Sequence, residues 1–304
     1  MKSIVVCYHK NCPDGFGAAC AAWKKFGNTA YYIAVDPEVL PSEKIKGKEI
    51  YILDNSYKKE VQLQLRKVNK KVVILDHHIS SEANVRAFPE NVFDNDHSGA
   101  VLAWQYFHPV RNSISIDRSD TQSTGVVSHG ANLFKPIPKL LLYIEDGDLW
   151  KFKLPFSQSI LSYVYAHDFN FHVWNTLQKE LESKKRMARI HEKGDAIIQY
   201  RDVLVKEAVA KAYLARFVDK NVFVVNSSTK RITSLVGHAL CKKNPPFSVV
   251  WYEAKDGTVH VSLRSEGNFD VSKIVQKYGG GGHKNAGGFV LPAHKPFPWK
   301  RIEK

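Results

Sequence analysis

The sequence predicts a two-domain α/β protein: an N-terminal parallel-sheet domain, a helical connector and a smaller C-terminal α/β domain. Three observations predict it. Short apolar runs rich in β-branched residues (3–8, SIVVCY; 50–53, IYIL; 72–75, VVIL) alternate with helix-like segments, as parallel strands do with their crossover helices. A heavily charged helical stretch from about 172 to 199 separates that half from a second set of strands. A glycine-rich segment, 278–289 (YGGGGHKNAGGF), closes the second set. The boundaries expected are 1–171, 172–200 for the connector, and 201–304.

The first apolar run ends in His9, and the turn Pro13-Asp14-Gly15 then opens a helix whose small residues suit close packing on a sheet. A strand follows near 30–35, then Pro37 and Pro41 in a loop, then the run ending at Asp54. Residues 61–68 read as the helix before the central strand. Residues 72–75 form an unbroken apolar run, the signature of a strand buried on both faces, and it stops at Asp76-His77-His78. Ser98 is a plausible cap for a helix over 99–107, and helix capping accounts for Asp94, Asp96 and His97 more simply than metal binding does. The polar, aperiodic stretch 111–132 reads as a surface loop. The apolar run 138–144 is too short to assign to helix or strand, and it leads into Glu145-Asp146-Gly147-Asp148. The second half runs through 221–226 and 232–240, then a hairpin of 248–252 and 258–263 with Asp256-Gly257 at its turn. Trp150, Trp251 and Tyr252 read as core residues.

Three strand ends thus deliver carboxylates and imidazoles to one edge of a sheet, where ligands of open α/β folds sit. Buried charge is costly unless paired or metal-bound, so the cluster reads as a cation site. Lysine and arginine exceed aspartate and glutamate by 14, with a pI near 9.4, which points to an anionic partner such as a nucleic acid or phosphate ester. The four cysteines, Cys7, Cys12, Cys20 and Cys241, lack zinc-ribbon spacing and suggest a reduced, cytoplasmic protein. No apolar run approaches membrane-spanning length. In the glycine run, amides of Gly280, Gly281 and Gly282 can approach a phosphate closely, His283 adds a donor, and Arg264 can aim its fork at the same group.

His9, Asp14-Gly15-Phe16-Gly17, Asp54, Asp76-His77-His78, Asp146 and then Arg264 with GGGGHKNAGG, in that order, resemble the DHH phosphoesterases with their associated C-terminal substrate-binding domain, of the nanoRNase or oligoribonuclease kind. The resemblance runs from the first strand to about residue 290. It implies hydrolysis of phosphodiester or phosphoanhydride bonds by two divalent ions, usually manganese, with magnesium possible. It further implies that Asp54 bridges the ions, that Asp14, His77 and Asp146 complete one position, and that His9 serves the other. Asp76 and His78 would orient ligands or touch the scissile phosphate, with Asp148 as an alternative to Asp146. Arg264, Gly280, Gly281, Gly282 and His283 would bind the substrate, in a cleft between the domains.

One departure stands out. The family has an Asp-x-Asp pair where this chain has Cys12-Pro13-Asp14. Either Cys12 fills the first place, or Asp14 does and Phe16 fills the second. The expectation is that Cys12 is a bystander and that His9 and Asp54 hold a weaker second ion completed by water. Short single-stranded oligonucleotides or dinucleotides, cleaved to 5′-mononucleotides, are the expected substrates, and a homodimer is possible. Nucleoside bisphosphates, cyclic dinucleotides and polyphosphate stay open, as does a nucleotide-binding protein with a decayed metal site.

Overall fold

A computed structural model describes residues 2–36, 39, 45–110 and 134–303, so the polar stretch 111–132 and the loop prolines Pro37 and Pro41 lie outside the described residues. The chain divides into two compact units: Met1–His77 with Ser81–Asp195, and His78–Ser80 with Ala196–Lys304.

In the first unit the chain alternates β1 (Ile4–His9), α1 (Pro13–Phe26), β2 (Ala30–Val35), β3 (Glu49–Leu53), α2 (Lys59–Val68), β4 (Lys71–Asp76), α3 (Glu82–Arg86) and β5 (Asn91–Phe93). All neighbouring strands pair parallel, in the order β2-β1-β3-β4-β5. The period of two along each strand feeds two separate cores. Val6, Tyr51, Leu53, Val73 and Leu75 face α1 and the helices that follow. Val5, Cys7, Ile50, Ile52, Val72 and Ile74 face Leu65, Val85 and Phe88. Burial on both faces is why these runs carry no polar alternation.

The helices α4 (Gly99–Phe107), α5 (Lys139–Asp148), α6 (Ser157–Tyr165) and α7 (Phe171–Leu181) follow in this unit. The run too short to assign from periodicity is therefore helical, in α5. Pro13 opens α1 where its fixed φ suits the first turn and its missing N–H costs nothing. Ser98 caps α4, its Oγ accepting from the Val101 N–H at 3.4 Å. Phe16 of α1 is fully buried and stacks on Phe169 and Phe171, with Trp174 edge-on. Burying one such ring contributes about 1.5–3 kcal/mol.

The segment expected as a connector divides differently. Trp174, Leu177 and Leu181 of α7 are buried in the first core. The long helix α8 (Lys184–Ala210) follows, with Ile190 in that core and Leu204, Val205, Ala208 and Val209 against a core of the second unit. At Gly194 a β-carbon would lie 2.0 Å from the Ser159 carbonyl oxygen, so the glycine lets α8 pass directly over α6.

The second unit contains β6 (Tyr213–Phe217), β7 (Lys220–Asn226), α9 (Thr233–Lys243), β8 (Phe247–Glu253), β9 (Val259–Ser265), α10 (Ser272–Gln276), β10 (Gly281–His283), β11 (Ala286–Leu291) and β12 (Lys300–Arg301). Its seven-stranded sheet runs β10-β11-β9-β8-β7-β6-β12, with β7 and β8 parallel and the other pairs antiparallel. One face buries Phe217, Phe247, Leu263, Phe289 and Trp299; the other buries Val225, Val250 and the apolar side of α9. Within the glycine run, Gly281 and Gly282 pair with Gly288 and Gly287 in a hairpin. A β-carbon on Gly280 would lie 2.1 Å from the Gly288 carbonyl oxygen, so close backbone packing accounts for that glycine.

Candidate metal centre

The strand order of the first sheet reverses between β1 and β3, the kind of switch point at which open α/β sheets bind ligands. Tyr8 pairs with Leu53, and Leu53 with Leu75. The next residue along each strand is His9, Asp54 and Asp76, so three neighbouring strand ends present their polar groups side by side. Asp54 takes a left-handed backbone, φ 53°, a conformation uncommon for a residue bearing a side chain and concentrated at functional sites.

The two oxygens of Asp54 face different partners. Oδ2 lies 3.3 Å from His9 Nδ1, and Oδ1 lies 3.1 Å from His77 Nε2. His77 Nε2 also approaches Asp14 Oδ2 at 3.4 Å and Asp148 Oδ2 at 3.6 Å. Asp14 is held by the first turn of α4, accepting from the Gly99 N–H at 2.6 Å and the Ala100 N–H at 2.9 Å. A carboxylate at a helix N-terminus is favoured there by the unpaired amides and the helix dipole. Asp76 is fully buried and its Oδ1 accepts from the His77 N–H at 2.8 Å, fixing the turn that aims His77.

Two groupings of ligand atoms lie wholly within this unit, each with its members within 4.8 Å of one another: Asp14, His77 and Asp148, and His9, Cys12 and Asp54. Asp148 takes the place expected for Asp146. The Asp146 carboxylate instead accepts from the Lys153 and Leu154 N–H groups at 2.8 and 3.1 Å, tying down the chain after α5. Trp150, expected in the core, is 44 % exposed in that same turn, at φ 55°.

Electrostatics mark this cluster as a place for cations. Burial, then the charges of Asp54 and Asp148, push the Asp14 carboxyl well above the usual carboxylate range. Burial works against a charged His77, yet its hydrogen bond to Asp54 and the charges of Asp148, Asp14 and Asp54 raise its pKa to about 10. Burial and the charges of Asp54, Asp148 and Asp14 hold the Cys12 thiol well above its ordinary value. Carboxylates with imidazole nitrogen are a donor set suited to manganese-like divalent ions. Burial, followed by the charges of Asp148, Cys12 and Asp14, also raises the Tyr165 phenol, which places α6 beside the cluster. No local pattern in the sequence singles out Tyr165.

The remaining expected site residues lie in the second unit. Arg264 of β9 donates from Nη1 to the Leu263 carbonyl and from Nη2 to Ser234 Oγ, both at 2.8 Å. Its stem runs under Gly237 of α9, where a β-carbon would lie 2.6 Å from Arg264 Cγ. Burial brings its pKa down to about 10, leaving it cationic at neutral pH. Among the described residues no carboxylate forms a salt bridge with it. His78, which clusters with this unit, stacks its ring on His283 with centroids 4.8 Å apart, and the Gly282 N–H donates to Ser80 Oγ at 3.3 Å.

Residues 219–303 match the DHHA1 domain family. An uncharacterized protein of Acanthamoeba polyphaga mimivirus is 27 % identical over 324 residues, spanning 98 % of this chain and 70 % of its own. A solved DHH domain, from a protein described as belonging to a family of ribosomal proteins, matches with a TM-score of 0.58 at 12 % identity, covering 95 % of this chain and 82 % of that one. A pGpG-specific phosphodiesterase of Vibrio cholerae gives a TM-score of 0.45 at 12 % identity, over 95 % of this chain and 93 % of its own. No helix among the described residues is long and apolar enough to cross a membrane.

Proposed function

We propose that this chain, which matches the DHHA1 domain family over residues 219–303 and shares its fold with a solved DHH domain, is a metal-dependent phosphoesterase that hydrolyses short single-stranded oligonucleotides or dinucleotides to 5′-mononucleotides with manganese as its working ion. The observation that carries the reading is the divided Asp54 carboxylate, whose two oxygens serve the His9 side and the His77 side of one buried cluster. Asp14, His77 and Asp148 would hold one ion, His9 and Asp54 a second, with Asp54 shared. Ions held there polarise phosphate oxygens and strengthen water as a nucleophile.

The chain's own groups do the rest. Asp76 fixes the turn that orients His77. The first turn of α4 keeps the Asp14 carboxylate from swinging away. His78 is assigned to the scissile phosphate. Arg264, desolvated and without a carboxylate in its salt-bridge range among the described residues, is suited to a substrate phosphate, for which a planar fork is the better donor. Gly280, Gly281 and Gly282 are assigned to a substrate phosphate through their backbone, with His283 as a further donor. Imidazole in the donor set favours manganese over magnesium, which prefers oxygen and retained water. The surplus of 14 positive charges supports a polyanionic substrate.

A screen of oligonucleotides, dinucleotides, nucleoside bisphosphates, cyclic dinucleotides and polyphosphate, with manganese supplied and products identified, tests the reading. Fastest turnover of dinucleotides or short strands is expected, lost with chelator and in Asp54→Asn. Preference for polyphosphate or a bisphosphate would replace the substrate assignment, and full activity in Asp54→Asn would sink the centre itself.

A further inference from the structure

We propose that Cys12 is a metal ligand, making the His9–Cys12–Asp54 grouping a nitrogen–sulfur–oxygen site for a softer divalent ion of the zinc or ferrous class, beside the harder Asp14–His77–Asp148 grouping. The proposal rests on the two-position reading above and reverses the expectation that Cys12 is a bystander. The first argument is placement. Cys12 sits at the position preceding the first turn of α1, with extended φ of −114°, and its side chain makes no capping hydrogen bond. Ser, Thr, Asp or Asn is favoured at such a position because its oxygen caps the helix. The sulfur lies instead within 4.8 Å of ligand atoms of both His9 and Asp54. Ligand atoms about 2.0–2.3 Å from one zinc ion lie no more than ~4.5 Å apart, so small side-chain shifts would close the site.

A second argument is contrast within the chain. Cys7 and Cys20 are buried among apolar neighbours in the two cores of the first unit, where a thiol acts as a small hydrophobe. Cys12 has no such setting; the groups around it are an imidazole and carboxylates. Imidazole, carboxylate and thiolate are the side chains that together hold such divalent ions. On ion binding the thiol proton leaves to solvent and sulfur donates the freed pair.

The third argument is charge. Asp14, Asp54 and Asp76 are each almost wholly buried, and Asp148 adjoins them. A carboxylate at position 12 would add another acid to a crowded cluster. Sulfur at that position supplies a third donor on the His9 side in place of another carboxylate. Sulfur then biases that side toward softer ions, whereas the all-oxygen-and-nitrogen side keeps its manganese preference.

Cobalt substitution tests this without relying on turnover. The full chain is stripped of metal, titrated with Co²⁺, and read for thiolate-to-cobalt charge transfer in the near ultraviolet, with bound cobalt measured in parallel. Wild type should show the band, Cys12→Ser should lose it, and Asp148→Asn should keep it while binding less cobalt overall. Zinc affinity should fall at least about tenfold in Cys12→Ser, and Cys12→Asp should shift that position toward manganese. Cobalt bound to wild type with no charge-transfer band, or a band unchanged in Cys12→Ser, would make Cys12 a bystander while leaving the two-position centre standing. No bound cobalt at all would overturn the centre and this proposal together.

Discussion

Gly99 stands against Asp54 so closely that a β-carbon on it would lie 2.7 Å from the Asp54 Cβ and 2.9 Å from Asp14 Oδ2. The same residue donates its amide to that Asp14 oxygen. One backbone position thus sets the separation of two carboxylates that serve different groupings. Gly99→Ala should force them apart and lower metal affinity by about 10–100-fold, the range seen when supports of ligands are altered. Manganese titration of the variant checks this, and an unchanged affinity would remove Gly99 from the centre.

The two aspartates at the end of α5 should separate cleanly. Asp148→Asn should weaken metal binding and turnover with little loss of stability. Asp146→Ala should do the reverse: it leaves the Lys153 and Leu154 amides without their acceptor, at a cost of about 1–3 kcal/mol. Urea unfolding and metal titration of both variants give the answer, and equal loss of metal in Asp146→Ala would restore it as a ligand.

The metal-free centre should be pH-sensitive in a defined direction. The folded pKa of His77 is raised from 6.5 to about 10, so the native state binds that proton more tightly than the unfolded chain does. Its contribution to stability is complete below about 6.5 and is lost as pH rises toward 10. The upward shift of Asp14 has the same sign and begins at lower pH. Chelator-treated protein should therefore become easier to unfold between these values. Over the same window metal affinity should rise, because His77 must lose its proton to bind. Unfolding curves at several pH values, with and without manganese, would show the two trends crossing; parallel trends would contradict the His77 assignment.

Arg264→Lys should preserve charge but lose the planar fork, since a lysine ammonium cannot reproduce bidentate contact. A rise in KM of about tenfold with bound metal unchanged is expected, equivalent to roughly 1.4 kcal/mol of substrate binding. Loss of metal without a change in KM would reverse the assignment.

Much of the first unit could be read in advance because its strands are buried on both faces, and a short unbroken run such as 72–75 fits an inner strand far better than a half-exposed one. Their polar ends were legible for the same reason: a run that stops at Asp-His-His has reached the sheet edge. The choice between Asp146 and Asp148 was not legible. It depends on α5 being a helix, in which residues two apart point roughly 200° away from each other, so only one can face the cluster. The strand pairing inside the glycine run was not legible, because glycine has no side chain to show a strand's alternation. Trp174, Leu177 and Leu181 of the expected connector are buried in the first core, and helical periodicity names a buried face without naming what covers it. Tyr165 left no trace, since its proximity to Asp148 arises from how α6 packs.

The pairing of Tyr8 with Leu53 and of Leu53 with Leu75 makes the sheet itself the ruler of the centre. Neighbouring strands lie about 4.8 Å apart by virtue of their hydrogen bonds, whatever their side chains. The spacing between His9, Asp54 and Asp76 is inherited from that lattice, so connecting loops can lengthen or change composition without moving the donors. Slippage is different: a shift of β3 by one residue would turn Asp54 to the opposite face. Only a correctly aligned sheet can take up the ions, and ion uptake during refolding becomes a direct readout of strand alignment.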